Sequence, residues 1–220
     1  SIRAMKFFAM FTSGLILSVT SVAALAEAQL DVRITPANSE LKANIEGYVG
    51  SPGERDAQSL KHFSIGAEEQ ARRAAQALGY YQATIRSEVQ TGRDSQPQLV
   101  IKIQPGEPIR LRNVTVRIEG EASSMKAFRV PSSQALKSGA VLNHGHYEDA
   151  KRLIQNQASR YGFFSGRFTR QRLSVDPAAG VADIDLVYDS GPRYTLGKVS
   201  FSGDAPFDDD LLRRMVPFKE

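Results

Sequence analysis

The sequence predicts an α+β fold made of tandem copies of one small β-α-α-β-β unit, with a third copy truncated. Three observations carry this expectation. The phrase Leu78-Gly79-Tyr80-Tyr81 returns 83 residues later as Tyr161-Gly162-Phe163-Phe164, each time after a run of helical spacing and before a run of β alternation. A Pro or Ser followed by Gly, at Pro105-Gly106 and again at Ser190-Gly191, then leads into a new alternating run around Val114 or Val199. In a chain of 220 residues a repeat of this length favours several small cores over one large one.

The elements follow in order. Arg3 and Lys6 precede an apolar stretch from Phe7 to Val22, closed by Ala24-Leu25-Ala26. That is the layout of a secretory signal over residues 1–26, cut after Ala26 or after Ala24; an uncleaved membrane anchor is the competing reading. Leu30, Val32 and Ile34 alternate with polar residues as a half-buried strand does, and Pro36 ends it. Asn38 and Ser39 cap a helix carrying Leu41, Ile45 and Tyr48, and the glycines from Gly50 to Gly53 break it. A second helical region runs from Glu54 to Leu78 with an expected interruption at Gly66. Ala67, Ala71, Ala74, Ala75 and Leu78 form its apolar face, and Gly79 stands where a helix end calls for a left-handed residue. Thr84 to Gln90 reads as a polar edge strand, and the continuous apolar run Leu99 to Ile103 as a central one.

The second unit repeats this plan. Val114, Val116 and Ile118 make its first strand, and a helical stretch is expected near Ser123 to Leu136. Asn143 caps a helix with Tyr147, Ala150, Leu153, Ile154, Ala158 and Tyr161 on one face. Phe168 to Val175 and Val181 to Tyr188 are its remaining strands. Val199 and Phe201 then begin a third unit, with a helix capped by Asp208. The expected domains are residues 27–105, 106–190 and, incomplete, 191–220.

Composition narrows the function. Without the leader the chain loses two basic and no acidic residues, so its formal charge drops from +4 to +2, with both signs mixed along it. No nucleic-acid footprint results. There is no cysteine, which removes disulfides, thiol nucleophiles and a lipoprotein-type lipid anchor. No G-x-S-x-G, H-E-x-x-H or phosphate loop is present, so neither an enzyme nor a cofactor is expected. His144 and His146 read as loop histidines beside a helix start rather than as metal ligands, and Asp208-Asp209-Asp210 as acids at a helix N-terminus. The paired aromatics of the repeated phrase read as core anchors.

The final pattern, Gly191, Tyr194, Gly197, Val199, Phe201 and Gly203, closes a G-x-x-Y-x-x-G-x-V-x-F-x-G signature, and Gly106, Ile109, Val114 and Val116 follow it more loosely. With the helix, Gly-aromatic-aromatic and strand pair before it, the unit resembles the polypeptide-transport-associated (POTRA) domain of the BamA/TamA superfamily of outer-membrane insertases. Ala77 to Gln82, Val141-Leu142-Asn143 with Tyr147-Glu148, and Val216 to Glu220 resemble the TamA branch more than the BamA branch. The resemblance implies three periplasmic POTRA domains before a transmembrane β-barrel that lies beyond this chain. It implies the inner-membrane-anchored TamB as a partner on the first domain, unfolded outer-membrane proteins and autotransporters as clients, and a part in lipid traffic. A single-pass scaffold protein bearing one POTRA domain is the alternative class.

Such a module can recruit a partner by offering an unpaired strand edge to which an extended segment adds. The candidate residues are Thr84, Ile85, Arg86, Glu88 and Val89 in the first unit, and Phe168, Arg170 and Arg172 in the second. The opposing reading is that these charges guard the edge against pairing.

Overall fold

The computed structural model describes residues 27–197; the expected leader and the strand and helix expected after Lys198 lie outside the described residues. Two three-stranded sheets result. The first unit comprises β1 (Gln29–Ile34), α1 (Ser39–Val49), α2 (Ala57–Ala77), β2 (Thr84–Thr91) and β3 (Pro97–Gln104). The second comprises β4 (Arg110–Glu119), α3 (His144–Tyr161), β5 (Arg167–Asp176) and β6 (Val181–Asp189). Their strand orders are β1-β3-β2 and β4-β6-β5, each with the first pair parallel and the second antiparallel. The continuous apolar strand is the central one, since β3 puts Leu99, Ile101 and Ile103 into the core and has a neighbour on both sides.

Local signals explain the helices. The Asn38 side chain accepts a hydrogen bond from the Leu41 amide at 3.0 Å and starts α1, and Asp56 does the same for Ser59 at 2.7 Å and starts α2. Helix α2 runs unbroken through Gly66, against the expected interruption. Its stripe of buried Ala67, Ala71, Ala74 and Ala75 lets the backbone lie close on Leu99, Ile101 and Ile103, and that packing outweighs the roughly 1 kcal/mol a mid-helix glycine costs. Two expected apolar positions face outward instead: Tyr48 and Leu153 are exposed, because the core needs only Leu41 and Ile45 from α1 and Tyr147, Ala150, Ile154 and Ala158 from α3.

The second unit departs from the first most clearly between β4 and α3. The expected helix near Ser123 to Leu136 is absent; two short 3-10 turns, Glu121–Ser124 and Gln134–Leu136, frame an extended loop. A buried aromatic and a side-chain clamp hold that loop in place. Phe128 is buried against Phe163 and Tyr161, with ring centroids 5.9 and 6.3 Å away, and the Gln157 amide clamps the Arg129 backbone at 2.7 and 2.8 Å.

The repeated phrase is one joint built twice. Gly79 and Gly162 have φ of +91° and +84°. In each case the next residue's amide reaches back to the helix, Tyr80 to the Ala75 carbonyl at 2.9 Å and Phe163 to the Ala158 carbonyl at 2.8 Å, which is the Schellman closure. The glycine carbonyls then accept from the chain leaving the unit, from Ile109 and from Tyr194, both at 2.8 Å. The aromatics divide their work, which corrects the expectation that all are core. Tyr80 and Phe163 pack on their own unit's core, whereas Tyr81 packs against the core of the second unit and its hydroxyl lies 2.7 Å from His144 Nε2. Phe164, the counterpart of Tyr81, is 71% exposed. Burial lowers the pKa of the His144 imidazole, against a smaller raising effect of Glu148.

Candidate partner-binding edge

Strand β2 has β3 on one side only. Its eight residues pair in unbroken register from Thr84 opposite Gln104 to Thr91 opposite Pro97. Thr84, Arg86 and Glu88 are exposed on one face, and Ile85 and Val89 are half-buried on the other against the first core.

One hydrogen bond orients the backbone. The Ser87 amide donates to the Glu68 carboxylate of α2 at 3.1 Å, so it points away from β3. Ile85 and Val89 share its parity and direct their N–H and C=O groups outward, while Arg86 and Glu88 direct theirs to β3. Glu68 also accepts from the Ser87 hydroxyl at 2.5 Å. The middle of the edge is thus capped by a side chain from nineteen residues upstream, a contact without any sequence signal.

The exposed face beside this edge is basic. Arg33, Lys102 and Arg86 stand side by side across the three strands. Asp31 pairs with Arg33 and Glu88 with Lys102, both at 2.8 Å. The Lys102 hydrogen bond and charge lower the Glu88 pKa. With Thr35, Thr84 and Gln104 the three cations line a trough of about 540 Å³. Arg33 and Lys102 were missed by pattern reading, because only the register brings them beside Arg86.

The second edge is of another kind. Phe168, on this edge strand, is half-buried, its ring meeting Tyr188 edge-on at 4.9 Å and packing against the second core. A register shift between Phe168 and Arg170 interrupts β5, and a bulge at an edge hinders pairing. Arg170 turns back to Asp185 at 3.3 Å, and Arg172 stands opposite the same aspartate.

Residues 31–105 match the family described as POTRA domain, TamA domain 1. The match spans the first unit and agrees with its fold, that of a POTRA domain. Among solved structures the chain is similar to POTRA domains 3–5 of Haemophilus influenzae BamA, at 19% identity over 89% of this chain and 78% of that one, with a TM-score of 0.44. It is also similar to POTRA domains 1–2 of Omp85 from Anabaena, at 14% identity over 77% and 97% with a TM-score of 0.33. For the N-terminal domain of Omp85 from Thermosynechococcus elongatus the figures are 16%, 85% and 74%, and 0.34.

Proposed function

We propose that this chain is the periplasmic arm of a TamA-type assembly factor, whose first domain recruits the inner-membrane-anchored TamB by accepting an extended segment on β2. The observation that carries the reading is the outward-facing, unbroken edge of a domain that matches TamA POTRA domain 1. Main-chain hydrogen bonds at Ile85 and Val89 supply affinity, and side chains on both faces supply selectivity. The second domain, with its bulged edge, acts mainly as a spacer toward the outer membrane. Assistance to autotransporters and other outer-membrane proteins, and to lipid traffic, belongs to the same reading.

Proline at Ile85 is the direct test. It removes an outward donor and leaves the β2–β3 ladder intact, whereas proline at Arg86 removes a ladder bond. Ile85→Pro is expected to retain its circular dichroism spectrum and to lose capture of the periplasmic segment of TamB. A folded Ile85→Pro variant with undiminished capture refutes strand addition at β2. Glu68→Ala, which uncaps the Ser87 amide, is expected to increase capture.

A further inference from the structure

The basic trough ends at the free edge of β2, and strand addition alone leaves its charges unused. Arg33 and Lys102 are each held by a carboxylate, whereas Arg86, the outermost of the row, is exposed and has no carboxylate partner among the described residues. Three cations on adjacent strands, about 4.8 Å apart in the pairing direction, repel one another. Asp31 and Glu88 relieve two of them from the neighbouring row. On the reverse face Ile85 and Val89 keep part of their apolar surface in water at the same edge.

We infer that the segment added to β2 carries an Asp or Glu side chain directly opposite Arg86, with apolar side chains at the two adjoining positions. This rests on β2 being the accepting edge. Directly opposed residues of paired strands share a face with Cβ atoms about 5 Å apart, so a carboxylate there extends the row and supplies the charge that Arg86 lacks. The adjoining residues fall on the other face and cover Ile85 from solvent. Register is selected as well. A slip of one residue sends the acid to the apolar face, and a slip of two sets it against Glu88 or beside Thr84, where no unpaired cation waits.

The test uses two seven-residue peptides of alternating valine and threonine, one with glutamate and one with lysine at the central polar position. Each is titrated into the full chain and followed by backbone amide shifts, with inorganic phosphate as a third ligand. The glutamate peptide is expected to bind three- to tenfold more tightly than the lysine peptide, in line with cross-strand ion pairs. Arg86→Glu is expected to reverse that preference and Arg86→Lys to keep it. Equal binding of both peptides, lost in Ile85→Pro, leaves strand addition standing and overturns the carboxylate. Binding of neither peptide, or binding unaffected by Ile85→Pro, overturns the edge itself and the inference with it. Phosphate shifts at Arg33, Arg86 and Lys102 without a peptide preference show a free-anion site and likewise overturn it.

Discussion

The exposed faces of the two sheets follow opposite charge plans. In the first, the central strand turns Lys102 outward between Arg33 and Arg86; in the second it turns Asp183 and Asp185 outward among arginines. A central carboxylate gathers the cations around it. Asp183 receives Arg112 at 3.1 and 2.6 Å and the Asn113 backbone and side-chain amides at 3.0 and 3.1 Å, while Asp185 draws in Arg170. A central lysine gives the outer Arg86 no such partner. The edges differ in the same sense, β2 being continuous and β5 interrupted. Where packing demands the same solution, at the glycine joints, the two units make the same closing and carbonyl hydrogen bonds to within 0.1 Å; where only solvent is faced, they diverge. Function is expected on the divergent face.

The strongest way to break this comparison is at the joints. Phe163→Ala is expected to destabilise the second unit by about 3–5 kcal/mol, and Phe164→Ala by no more than about 0.5 kcal/mol, since one ring is buried and the other exposed. Urea titration of the two variants reads the difference; equal losses would mean that Phe164 carries load in its own unit.

A smaller effect sharpens the link between units. A Cβ at Gly79 would meet the Leu142 carbonyl oxygen at 2.6 Å, whereas one at Gly53, also at positive φ, meets nothing within 4 Å. Gly53→Ala is expected to cost only the left-handed backbone term of roughly 1–2 kcal/mol. Gly79→Ala adds displacement of the second unit, visible as a changed small-angle scattering profile. An unchanged profile would separate the joint from inter-unit geometry.

The smallest effect concerns charge. The Arg112 hydrogen bond, with the Asn113 amides, holds the Asp183 carboxyl at about 2, below its ordinary 3.8. A depressed carboxyl contributes stability that is complete above the ordinary value and is lost as pH falls from 3.8 through 2. Asp183→Asn removes this contribution, so acid unfolding of the second unit flattens in that window. Because the group is exposed the change is slight, and 1 M salt is expected to reduce it further. A variant with an unaltered acid limb would show that the central aspartate is not what neutralises this face.

Much of the fold was legible in short stretches. Asn38 and Asn143 cap helices by bonds to amides two or three residues on, and Gly79 and Gly162 close helices by bonds within six residues. Alternation marked the strands, and unbroken apolarity marked β3 as central. The misreadings involve partners distant in sequence. The 3-10 loop around Phe128 depends on Phe163, and the continuity of α2 through Gly66 depends on β3. The edge residues Thr84 to Val89 were legible as a polar strand, but neither the Glu68 cap nor the cation row was.

By itself, then, the chain determined its repeat, its caps, its helix ends and the alternation of β2, because these depend on neighbours within a turn or on the pleat of one strand. The direction of each edge amide, the row of Arg33, Lys102 and Arg86, and the placing of Tyr81 on the neighbouring unit were decided only by tertiary structure. Register is the physical reason: which strands pair, and at what offset, is set by burial across the whole sheet, and no single strand specifies who stands beside it.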